Sequence, residues 1–189
     1  MTDQRSTATT STLPATEVTR LMRRVRQTRD FRPDPVPEDV LRDILDVARW
    51  TGSVSNRQPW TFVVVTDPET RKGMAEAATN TPHIGIAPVV VVIVLEPHGL
   101  ESDNYDEGRI TERIMVAAAA HGVDSGIGRA RDDAQRTIAG LLGVPGDRVV
   151  RSMVSLGYAT EAGAAPKTAR GAARKPLDEL IRRERFADR

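Results

Sequence analysis

Cysteine is absent from this sequence, which removes disulfides, thiolate nucleophiles and cysteine-ligated metals at once. Histidine is scarce: His83, His98 and His121 stand far apart, with no metal-ligand spacing. Aromatics make up only 4% of residues, so the core must be built from Val, Ile, Leu, Ala and Met. Neither sign of charge dominates. The 27 basic and 26 acidic side chains leave a formal charge of +1, which argues against a dedicated nucleic-acid binder. No long hydrophobic run exists. The longest, residues 84–95, contains Gly85 and Pro88 and is too short to span a bilayer, so no membrane association is expected. The N-terminus is polar and shows no stretch of signal-peptide type, and a cytoplasmic location is expected. A Walker-type phosphate loop, a Gly-x-Ser-x-Gly elbow and a marked carboxylate pair are all missing. With no side-chain nucleophile or general acid in evidence, an enzyme of this composition would leave the chemistry to a bound organic cofactor.

What is present fits one soluble domain with a real core: 189 residues, 39% apolar and 28% charged. Residues 1–15 are Thr/Ser-rich without periodicity and are expected to be a disordered tail, leaving a single domain over 16–186. Val18, Leu21, Met22 and Val25 have helical spacing. Pro33, Pro35 and Pro37 enforce an extended segment. A second helix then runs from Pro37 to about Trp50 on Val40, Leu41, Ile44, Leu45, Val47 and Ala48. A strand is expected over 61–66, and Asp67-Pro68-Glu69 opens a helix to about Thr79. The unalternating run from Pro88 to Leu95 predicts a central strand buried on both faces. A polar stretch over 96–105 leads to a long helix over 106–121, whose Ala117–Ala120 end suits close packing in the domain or at a subunit interface. Residues 122–128 are expected to form a turn-rich loop, 131–142 a helix, 149–158 a last buried strand and 163–173 an irregular segment. Helices and buried strands mixed in one layer set give α+β or α/β.

The chain is organised around residues 53–60, Ser-Val-Ser-Asn-Arg-Gln-Pro-Trp, a short polar connection between an apolar helix and a buried strand. Its hydroxyls and amides could cap a turn or face a ligand. Three other signals are each ambiguous alone. Arg26 and Arg29 could hold a phosphate dianion or simply end a basic helix. Ser125-Gly126-Ile127-Gly128 could bring backbone N–H groups to a flat ligand or form a plain turn. Lys167, Arg170, Arg174 and Lys175 could complete an anion site or form a basic tail.

Taken in register, these stretches resemble the nitroreductase family. Residues 26–31, Arg-Gln-Thr-Arg-Asp-Phe, resemble its RRSxRxF motif, and residues 53–62 its SxxNxQPWxF motif. Residues 122–128 resemble its GLGxxxIG segment, and residues 174–179, Arg-Lys-Pro-Leu-Asp-Glu, its basic-PLEE ending. The resemblance covers roughly 18–186. It implies an α+β fold, with a central, mostly antiparallel sheet flanked by helices, in an intertwined homodimer that binds FMN at its interface. It further implies that Arg26 and Arg29 meet the FMN phosphate and its ribityl or pyrimidine side, that Arg174 with Lys175 completes the phosphate site, and that Ser53, Ser55 and Asn56 reach the flavin from the partner subunit. Backbone groups of Gly126, Ile127 and Gly128 would lie by the reactive edge. Gln27 and Gln58, within the same motifs, complete the cofactor-binding set, and no side chain is catalytic. The implied activity passes hydride from NADPH or NADH through FMN to a small organic acceptor such as a nitro compound or quinone. A flavin-dependent oxidase or dehydrogenase of a dedicated metabolite, or a flavin-binding dimer without turnover, stand as alternatives. Two departures are visible. Val25 and Gln27 stand where the family has an Arg and a Ser, and the short segment after the strand at 88–95 predicts an open pocket.

Overall fold

The computed structural model describes residues 14–131, 133–165 and 174–186. Its centre is β2, Val89–Leu95, seven apolar residues that are all buried. A strand with no polar face must be covered on both sides and paired on both edges. It pairs antiparallel with β1, Trp60–Val65, on one edge and with β4, Val149–Gly157, on the other. The fourth strand, β3, Asp124–Arg129, pairs antiparallel with β4, which gives the order β1-β2-β4-β3. Val91, Ile93 and Leu95 face α2, Glu38–Arg49, and α4, Leu100–Ala120, through Leu41, Ile44, Ile110, Ile114 and Ala118. The alternate residues Val90, Val92 and Val94 face α3, Pro68–Ala77, and α5, Asp133–Leu141, through Met74 and Ile138. The class is α+β, an antiparallel sheet between two helical layers.

Local signals account for the boundaries. The Asp67 carboxylate accepts from the Thr70 backbone N–H at 2.8 Å and caps α3, with Pro68 in its first turn. The β2–β4 register shifts between Ile93 and Val94 and skips Arg151. The skipped residue carries its guanidinium to Glu107 of α4, 3.3 Å away, where both side chains are buried.

Two expectations need correction. The long helix starts at Leu100, not near residue 106. Asp103 accepts from the His98 and Gly99 N–H groups and closes the helix start earlier, while the polarity of 101–106 belongs to a partly solvated helical face. Residues 122–128 are not a loop either. Gly122, at φ +70°, makes the turn, and strand β3 begins two residues later. Glycine normally weakens a strand, but here the missing side chains are a packing requirement. A Cβ on Gly126 would overlap the Thr28 carbonyl oxygen, and one on Gly128 would lie 2.6 Å from Ile84 Cδ1.

The first helix, α1, Ala15–Arg24, forms at the predicted spacing but buries none of its residues, and Val18 and Met22 stand exposed. After β4, Thr160 caps the short α6, Glu161–Ala164, whose last two residues fall in the segment 163–173 expected to be irregular; residues 166–173, with Lys167 and Arg170, lie outside the described residues. A last short helix, α7, is Leu177–Leu180. Among the described residues no helix is long and apolar enough to cross a membrane, and no cluster of His, Asp and Glu could hold a metal ion.

Candidate functional site

The end of α1 leads into an extended strap, residues 25–31, laid along the outer edge of β3. Gln27 bridges Ser125 in parallel, the Thr28 N–H donates to the Ser125 carbonyl at 2.8 Å, and Phe31 bridges Ala159. The bare backbone of Gly126 admits the Thr28 carbonyl. Gly163 plays the same part from α6, since a Cβ there would lie 2.5 Å from the Asp30 oxygen. The Gln27 side-chain oxygen accepts from the Ile127 N–H at 3.4 Å, on the edge of β3 that faces away from β4.

This strap forms one wall of a cavity of about 740 Å³. Met22, Arg23, Val25, Arg26 and Gln27 line it from α1 and the strap, Glu112 and Met115 from α4, Ile127 from β3, and Arg174 from the C-terminal segment. Three guanidiniums and one carboxylate therefore face a partly apolar hollow. Arg26 donates to the Arg23 carbonyl at 2.6 Å and to its neighbour Val25 at 2.8 Å. That places its charge at the carbonyl end of α1, where the helix dipole favours a cation. Such a hollow can bind a planar ligand that carries a phosphate.

Of the residues singled out from sequence, Arg26, Gln27, Ile127 and Arg174 meet here. Gly126 and Gly128 sit behind the cavity wall as packing glycines, while Arg29 and Lys175 are exposed and lie outside its lining. Sequence reasoning missed Arg23, Glu112, Met22 and Met115. Arg23 precedes Arg26 by three residues, a helical-neighbour spacing that could have flagged it. Glu112 and Met115 carried no such signal, because their facing depends on how α4 packs.

The 53–58 loop lies elsewhere. None of Ser53, Ser55, Asn56 or Gln58 lines the cationic cavity. Val54 borders a hollow with Tyr105 and Ser102, and Gln58 borders a groove with Trp60 and Phe62. Ser55, Asn56 and Gln58 take φ values of +52°, +53° and +50°. Each left-handed residue that is not glycine costs about 1–3 kcal/mol, and such strain persists where surrounding structure enforces it. The loop is closed internally by Ser53, whose hydroxyl accepts from the Gln58 N–H at 2.9 Å. Within one chain, then, the expected site is split into a cationic cavity and a strained polar loop.

The nitroreductase family profile matches residues 22–92, which include the strap and the loop. A curated relative from Archaeoglobus fulgidus, named as a candidate NADH dehydrogenase/NAD(P)H nitroreductase, is 33% identical over 141 residues, covering 70% of this chain and 80% of its own length. The chain belongs to the nitroreductase family. An NADH dehydrogenase from Thermus thermophilus is 43% identical over 83 residues, 44% of this chain; the match spans only 40% of that relative's length. The solved FMN-dependent nitroreductase from Clostridium difficile shares the nitroreductase fold at a TM-score of 0.76 and 22% identity, covering 88% of this chain and 98% of that one. Against the nitroreductase motif, Val25 lines the cavity as an apolar residue and Gln27 as a carboxamide, and Arg23 and Arg174 are the further cations beside Arg26.

Proposed function

We propose that this nitroreductase-family chain is an FMN-dependent oxidoreductase that passes hydride from NADPH or NADH to a small organic acceptor such as a nitro compound or quinone. The observation that carries the reading is the cavity lined by Arg23, Arg26 and Arg174 beside Met115 and Ile127. A flavin mononucleotide needs cations at one end and an apolar slot at the other, and the donor set fits that demand. Arg26 and Arg174, helped by Arg23, would hold the phosphate. Gln27, whose side-chain oxygen takes the Ile127 N–H, would offer its amide N–H groups to ribityl hydroxyls, and the Ile127 side chain would pack against the ring. Arg29 and Lys175 stay in the set through the motif resemblance and lie beyond the cavity rim. The bound flavin would supply the redox chemistry; the chain would bind it, orient it and limit water around it.

The strained loop supports a homodimer, since Ser53, Ser55, Asn56 and Gln58 would need a second copy to meet the first copy's cavity. The unburied α1 supports it too, because an amphipathic helix that buries nothing is marginal by itself. The names of the Archaeoglobus and Clostridium proteins are consistent with NAD(P)H and FMN chemistry. The carboxylate of Glu112 in the same cavity favours a second reading, a dimer that holds flavin weakly and without turnover.

The test is the visible spectrum of purified protein titrated with FMN and then, without oxygen, with NADPH or NADH. Flavin bands that shift on binding and bleach on nicotinamide addition are expected. Bands that do not bleach select an oxidase or the binding dimer, and protein that takes up no FMN overturns the reading.

A further inference from the structure

The 53–58 loop holds three left-handed residues, and something must keep it from relaxing. Its exit is secured by the sheet, where the Glu96 N–H donates to the Pro59 carbonyl at 2.7 Å. At its entrance, the Arg109 guanidinium donates to the Gly52 carbonyl at 2.6 Å. Among the described residues this is the one hydrogen bond that ties residues 52–58 to a distant element. Arg109 is itself held on α4 by two neighbours. The buried Asp106 carboxylate lies 3.7 Å away, and the Tyr105 ring centroid lies 5.4 Å from its guanidinium carbon. Gly52 admits this approach, for a Cβ there would come within 3.1 Å of Arg109 Nη2.

We propose that Arg109 is a positioning residue for the ligand-facing loop. It fixes the Gly52–Ser53 peptide plane, and that orientation decides where the turn at Val54–Asn56 begins. A planar guanidinium with a bound counter-charge can set a peptide plane in a way that a lysine ammonium does only in part. Asp106, Tyr105 and Arg109 thus couple the start of α4 to the geometry of Ser55, Asn56 and Gln58. The functional consequence rests on the reading that this loop reaches a flavin.

The experiment compares wild type with Arg109→Met and Arg109→Lys. Hydrogen–deuterium exchange of residues 52–58 is measured in the flavin-free protein, and FMN dissociation constants are measured by fluorescence quenching. Arg109→Met is expected to speed loop exchange and to weaken FMN binding, each by about tenfold, as the loss of one charge-assisted hydrogen bond implies. The melting temperature is expected to fall as well, because Arg109→Met leaves the buried Asp106 carboxylate without its counter-charge, and Arg109→Lys is expected to recover part of each effect. Unchanged loop exchange in Arg109→Met overturns the proposal whatever FMN does. Faster exchange with an unchanged FMN constant also overturns the positioning role, because the loop would then not serve the ligand. Wild type that fails to bind FMN would sink the flavin reading separately, while the exchange data still judge the strut.

Discussion

The buried pair between Glu107 and Arg151 allows a stability prediction whose sign changes with the number of substitutions. Arg151 Nε lies 3.3 Å from Glu107 Oε2, and the two side chains are only 9% and 4% exposed. At that separation and an effective dielectric of about 20, the attraction is roughly 5 kcal/mol. Burial of each ion costs several kcal/mol in return, so the intact pair contributes little net. Its satisfaction is also incomplete, since Glu107 Oε1 and Arg151 Nη2 have no hydrogen-bond partner. Glu107→Leu alone strands a buried guanidinium, and Arg151→Met alone strands a buried carboxylate; each is expected to cost about 3–5 kcal/mol. That is a large share of a typical total of about 5–15 kcal/mol. The double variant removes both charges and is expected to be neutral or up to about 4 kcal/mol more stable than wild type. Urea unfolding of the four proteins at pH 7 gives the cycle. The reasoning is refuted if either single variant costs under about 1 kcal/mol, or if the double variant loses the sum of the singles.

Three further outcomes are expected. Gly126→Ala should lower stability by about 3 kcal/mol through the clash with the Thr28 carbonyl, whereas Gly140→Ala, where a Cβ meets nothing within 4 Å, should raise it by about 0.5–1 kcal/mol; equal urea midpoints would remove the packing account of β3. Glu112→Gln should tighten FMN binding about two- to fivefold at low salt and less at high salt, and a salt-independent or absent change in titration would place Glu112 away from the phosphate. The Thr70 hydroxyl, and then its N–H, hold the Asp67 carboxyl below the usual carboxylate range. A carboxyl depressed in the folded state stabilises fully above about pH 4 and loses that contribution as the pH falls through the lowered value. The melting-temperature gap between wild type and Asp67→Ala should therefore close below about pH 4, and a constant gap in thermal melts across that range would contradict the cap.

The elements most readable in the sequence were those with a single strong cause. The unbroken Val/Ile run had to become the doubly buried β2. Asp67-Pro68 had to open α3, and Pro37 with Glu38 and Asp39 had to open α2. The errors arose where a local signal was overruled by packing elsewhere. Glycine at 126 and 128 signals a loop, yet those positions are bare because Thr28 and Ile84 occupy the space. Those neighbours are distant in sequence, so no local pattern could reveal them. The polar residues 101–106 look like a connection because their partners, including the His98 and Gly99 amides capped by Asp103, appear only once the chain turns there.

The candidate site divides along the same line. Arg26, Gln27, Ile127 and Arg174 could be named from motif spacing because the strap, β3 and the C-terminal segment bring them together within one chain. Glu112 and Met115 could not, since their part depends on how α4 rotates against the sheet. Ser53, Ser55, Asn56 and Gln58 instead belong to a loop that is strained, largely solvent-exposed and apart from the cavity. Strain of several kcal/mol on an exposed loop is a poor bargain for a turn that only joins α2 to β1, because an Asn-Gly or Gly-Gly pair could take the same dihedrals at less cost. Ser, Asn and Gln at those positions bring side-chain donors and acceptors that glycine would not, which supports the part proposed for the loop. Under the proposed reading, two copies would share each site: the cavity would offer charge and an apolar slot, and the partner's loop would add further polar groups to those of Gln27 and Glu112.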